Sequence, residues 1–110
     1  MTPIQAQGII REMVDRIVRG FSPEQVILFG SYARGTETRD SDVDLLVVLP
    51  KIEGSRRKTC VDIRGALHGM GLAKDIVIRT PEELAAEKTI PGTIGRAVEL
   101  EGRILYERTH

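Results

Sequence analysis

Apolar residues recur along this chain in two alternating rhythms, one helical and one extended. Ile10, Met13, Val14, Ile17 and Val18 follow helical spacing, which predicts an amphipathic helix over residues 4–19 closed by Gly20. Val26-Ile27-Leu28-Phe29 is a short, wholly apolar run, the pattern of a strand buried on both faces. Val43 to Leu49 is a second such run, stopped by Pro50. Helical spacing returns between Ser55 and Met70, with Cys60, Ile63, Leu67 and Met70 on one side and Gly69 and Gly71 closing the segment. Ile76-Val77-Ile78 predicts a third strand. Thr80-Pro81-Glu82-Glu83 then predicts a helix start, in which Thr80 caps, Pro81 takes the first helical position and Glu83 completes a capping box. Pro91-Gly92 breaks that helix, a last helical stretch runs to about Leu100, and Gly102 precedes a final strand from Arg103 to Tyr106. The expected architecture is a small mixed α/β domain of about four strands, with helices packed on the sheet.

Composition narrows the function. A chain of 110 residues has room for one compact domain, here residues 1–110. It has no Trp, two Phe and two Tyr, so its core must be aliphatic. Sixteen Lys and Arg balance sixteen Asp and Glu, for a formal net charge of zero. A protein that lives on phosphate-backbone contacts carries a basic excess, so no extended nucleic-acid surface is expected. The one cysteine, Cys60, allows no internal disulfide and suits a reducing compartment. Arg11, Glu12, Asp15 and Arg16 make the N-terminal stretch unlike a signal peptide, and no run approaches the roughly 18 apolar residues of a membrane span. The expected location is the cytoplasm, with no membrane partner.

The candidate chemistry lies in Gly30-Ser31-Tyr32-Ala33-Arg34-Gly35 and in Asp42-Val43-Asp44, with ten residues between Ser31 and Asp42. Residues two apart in a strand point to one side, roughly 7 Å apart along the backbone, so Asp42 and Asp44 share a face. Val43 and Leu45 then face the core. Two carboxylates on one face repel unless a cation lies between them, and a pair of ions about 3.5–4 Å apart would use that separation. Asp75, placed before the apolar run of the third strand, is the candidate third ligand. Hard oxygen donors without a His or Cys cluster point to magnesium, with manganese as the other choice. Ser31 opens what reads as a single helical turn ending at Gly35, so its hydroxyl and the following N–H groups can meet an anion. Gly30 leaves the backbone open to a triphosphate.

Gly30-Ser31, ten intervening residues, Asp42-x-Asp44 and a later Asp75 together resemble the DNA polymerase β-type nucleotidyltransferase superfamily. The resemblance covers roughly residues 26–80, and the short chain resembles the minimal nucleotidyltransferases of prokaryotes. It implies a polymerase β-like nucleotidyltransferase fold. It also implies that Gly30 and Ser31 help hold a nucleoside triphosphate, ATP being favoured, and that Asp42, Asp44 and Asp75 bind two Mg2+ ions and carry catalysis. Such proteins often pair with a co-encoded helical HEPN-type toxin, and act as antitoxin by adenylylating the toxin or by binding it. Both readings stay open here: transfer of AMP from ATP to a hydroxyl of a partner protein, and a non-catalytic antitoxin that neutralises its partner by contact. The intact set of three acids favours transfer.

Other residues read more plainly. Gly30-x-x-x-x-Gly35 lacks the Lys-Ser/Thr of a P-loop, since Thr36-Glu37 follows. Arg34 and Arg39 could touch phosphate, though solvated arginines are commoner in polar loops. Arg56-Arg57-Lys58 places positive charge at a helix start, against the macrodipole, and reads as a solvated face. His68 reads as structural or exposed, and Cys60 as core.

Overall fold

The structure is a computed structural model and describes residues 2–109, so the two end residues of the expected 1–110 domain lie outside it. Helix α1 spans Pro3–Phe21, strand β1 Gln25–Phe29, the short helix α2 Ser31–Arg34 and strand β2 Val43–Val48. Helix α3 (Arg56–Ala66), strand β3 (Lys74–Arg79), helices α4 (Pro81–Glu87) and α5 (Ile94–Glu101) and strand β4 (Arg103–Glu107) complete the chain. The four strands form one sheet in the order β3-β2-β1-β4. β1 runs antiparallel to both β2 and β4, while β2 and β3 are parallel with α3 in the crossover between them. The sheet is therefore mixed, as the chain's pattern predicts.

Both faces of the central strands are covered, which explains why their sequences do not alternate. Val26, Leu28, Val43, Leu45 and Val47 meet Ile10, Met13, Val14 and Ile17 of α1 and Ile63 of α3 on one side. Ile27, Phe29, Leu46 and Val48 meet Leu84 of α4 and Ile94 and Val98 of α5 on the other. Leu45 and Leu46 are both fully buried, one in each layer. Each such side chain contributes about 1.5–3 kcal/mol relative to exposure.

Helix α1 does not stop at Gly20. It runs to Phe21, which packs against the core, and Ser22 takes the left-handed cap conformation at φ 48°. Buried Pro23 then turns the chain into β1. Helix α3 ends at Ala66, earlier than the apolar spacing predicts, and the chain from Leu67 to Met70 is a turn that still buries Leu67. The start of α4 forms as predicted: Thr80 accepts from the Glu83 N–H, and the Glu83 side chain accepts from the Thr80 N–H. None of the helices among the described residues is long and apolar enough to cross a membrane.

Candidate active site

Antiparallel pairing of β1 with β2 sets Phe29 opposite Asp44, and parallel pairing of β2 with β3 sets Asp44 opposite Asp75. One end of the sheet thus collects the exit of β1 and the entries of β2 and β3. Asp44 points away from buried Val43 and Leu45, on the sheet face that carries α4 and α5 further along. Asp42 lies one residue ahead of β2 in irregular chain and is exposed. The loop that delivers it is pinned at Ser41, whose hydroxyl accepts from the Thr38 N–H at 2.8 Å. Its outlet is fixed by Val43 N–H donating to Ala73 O at 2.9 Å.

Gly30 joins this group through its backbone. At φ 74° and ψ −155° it occupies a region that only glycine enters readily. A Cβ built there would lie 2.1 Å from Asp44 Oδ2, so the carboxylate fills the space that a side chain would need. The opening expected to admit a triphosphate is filled by Asp44. Ser31 opens α2 as expected, and Gly35 closes the turn in the left-handed conformation with its N–H donating to Ser31 O. The N–H groups of Ala33 and Arg34 are both spent on Gly30 O, and no side chain caps the turn.

The carboxylates feel one another. Asp44 titrates above the ordinary aspartate range, first because of burial, then because of the charges of Asp75 and Asp42. Arg34 pulls it down and Glu101 pushes it up. Arg34 is bound to Glu101 at the end of α5, its Nη1 donating to both carboxylate oxygens at 3.0 Å. Asp75 is bound to Arg64 of α3, with Nη2 to Oδ1 at 2.8 Å. Nothing in the sequence signals Glu101 or Arg64, since charges on separate elements carry no local sign that they meet.

Whether this set fits a divalent cation can be judged from its donors. They are hard oxygens, and their mutual repulsion is what a dication would relieve. The ligand shell is not closed, however. Among the described residues no three His, Cys, Asp or Glu side chains converge tightly enough to hold an ion. The donor chemistry fits, and closing the shell would need side-chain movement.

Arg56 donates to Ile78 O and grips both oxygens of Glu83, and Lys58 pairs with Asp62. His68 is exposed, and Cys60 is half-buried with its thiol donating to Ile76 O.

Residues 10–99 match the nucleotidyltransferase domain family. A "Putative protein adenylyltransferase" of Methanocaldococcus jannaschii is 33% identical over 107 residues, spanning 92% of this chain and 71% of that protein. The crystal structure of a "putative nucleotidyltransferase" from Sulfolobus solfataricus superposes with a TM-score of 0.65 at 21% identity, over 94% of this chain and 84% of that one. A chain from a toxin–antitoxin crystal structure with AMP-PNP superposes with a TM-score of 0.59 at 22% identity, over 90% of this chain and 74% of that one. At these identities the two structures speak for the fold.

Proposed function

The chain belongs to the nucleotidyltransferase domain family, and from that premise we propose that it transfers AMP from ATP to a hydroxyl group of a partner protein. In this reading Asp42, Asp44 and Asp75 hold two divalent ions, magnesium or manganese, and the turn opened by Gly30 and Ser31 receives the triphosphate. The observation that carries it is the contact of Gly30 with Asp44, which joins the turn to the carboxylate face.

Bound ions would supply charge neutralisation at the α-phosphoryl group and on the departing pyrophosphate. The chain's own residues do the rest by placement. The Ser31 hydroxyl donates to a phosphate oxygen. Asp75 takes the proton of the attacking hydroxyl as the new P–O bond forms and the bond to pyrophosphate breaks. Tethering of Arg34 to Glu101 keeps α2 against the end of α5, so the turn is braced from outside the sheet.

We take the acceptor to be a helical HEPN-type toxin, with this chain as its antitoxin. The name of the adenylyltransferase relative and the fold shared with a chain of a toxin–antitoxin structure support that reading. So does the exposure of Asp42 and Asp75, which leaves the site open to a protruding segment of another protein. A contact-only antitoxin is the second reading, and the unclosed ligand shell favours it. Incubation with each labelled nucleoside triphosphate, magnesium and the toxin separates the two. Transfer labels the toxin from ATP, whereas contact alone leaves a stable, unlabelled complex.

A further inference from the structure

Arg64 stands in the last turn of α3 and reaches Asp75 at the entry of β3, with Nη2 to Oδ1 at 2.8 Å. Both side chains are about half exposed, at 48% and 57%. Among the described residues this contact is a single bond, with no second grip on the backbone. Arg19 and Arg96 likewise make one bond each, whereas Arg56 is held by Glu83 and Ile78 O, and Arg79 by Glu87 and Ile78 O. Arg34 makes two bonds to Glu101. A half-exposed, one-point ion pair is weak and screened, so a competing dication can break it. Its location is what gives it a consequence. It engages one of the three carboxylates read above as cation ligands.

We propose that Arg64 is a resident counter-ion of Asp75, which a divalent cation must displace before that carboxylate can serve as a ligand. The inference rests on the metal reading above. In the cation-free protein Arg64 offsets part of the repulsion among Asp42, Asp44 and Asp75. On binding, the dication takes over that task and the guanidinium swings free beside the site. Arg64 is thus a positioning residue, tuning cation affinity through Asp75.

Titration with Mn2+ alone, following free Mn2+ by electron paramagnetic resonance, tests this without reference to activity. Arg64→Gln should bind Mn2+ about two- to fivefold more tightly than wild type, the range expected from losing a weak competing pair. Arg64→Lys should return affinity toward the wild-type value. Asp75→Asn should weaken binding, and adding Arg64→Gln to it should then give no gain. A gain of equal size in the Asp75→Asn background would reduce Arg64 to a distant charge and overturn the proposal. No gain in Arg64→Gln, with Asp75→Asn still weakened, would overturn it while leaving the metal reading intact. Wild-type affinity in Asp75→Asn would remove the metal reading and this proposal with it. Thermal melting of each variant without metal confirms that the fold is retained.

Discussion

A Cβ at position 30 would lie 2.1 Å from Oδ2 of Asp44, so the two residues occupy one site in a literal sense. The glycine's missing side chain is the space into which the strand's carboxylate fits. Gly30→Ala should therefore act twice. The backbone at φ 74° strains any L side chain, and the new methyl expels the carboxylate. We expect a loss of about 1–3 kcal/mol in unfolding stability and a collapse of nucleotide transfer. Denaturant melts paired with a transfer assay check both, and wild-type transfer by the variant would show that Asp44 need not sit against Gly30.

Asp44 itself yields a prediction with a definite sign. Its pKa is raised by burial and by the charges of Asp75 and Asp42. A raised carboxyl stabilises the fold while protonated, and that contribution is lost as pH rises through the folded-state pKa. At neutral pH the ionised Asp44 is a burden in the absence of cations. Asp44→Asn should therefore melt higher than wild type at pH 7 in a chelating buffer, and the difference should shrink on acidification. It should also abolish transfer. A lower melting temperature in chelator would mean that the ionised Asp44 carboxylate is not a burden on the fold.

Ser31 opens the turn that the proposed triphosphate would meet. Ser31→Ala should weaken binding of a non-hydrolysable ATP analogue with magnesium by about 1.5–3 kcal/mol, the worth of a hydrogen bond to a charged group. Isothermal titration calorimetry measures this directly. Unchanged affinity would leave Ser31 as the first residue of a short helix and nothing more.

Far from the site, Glu83 is held down to a pKa of about 2, first by its hydrogen bond from Arg56 and then by the Thr80 N–H. A depressed carboxylate stabilises the fold above its unfolded value of 4.5, and that stability is lost as pH falls toward about 2. Glu83→Gln retains a side chain able to complete the capping box but loses the charge. It should cost under about 1 kcal/mol at pH 7, since the pair is partly exposed, and should flatten the acid limb of stability in that window. Circular dichroism melts from pH 5 to 2 would expose an unaltered acid limb, which would assign the acid sensitivity to other groups.

The sequence carried much of this architecture because its strongest signals are local. Thr80-Pro81-Glu82-Glu83 contains a whole helix start within four residues, and the capping box forms there. The runs Val26–Phe29 and Val43–Leu49 are apolar throughout because helices cover both sides of the sheet. Gly20 misled because a glycine's lower helix propensity is outweighed when the next residue, Phe21, has core to reach. At the site, the motif residues were legible, and the chain does draw Gly30, Asp44 and Asp75 to one end of the sheet. Arg64 and Glu101 were not. Each is a charge whose partner lies on another element, so only the register of β3 and the position of α5 bring them to the acids.

Catalytic transfer through Asp42, Asp44 and Asp75 would leave a covalent mark on the partner. Its most direct test is the intact mass of the helical partner, co-expressed with wild type and with Asp42→Asn. A mass increase of one or more AMP units is expected with wild type and none with Asp42→Asn. A partner left unmodified yet inhibited by both forms would contradict it, and would leave a protein that neutralises its partner by contact.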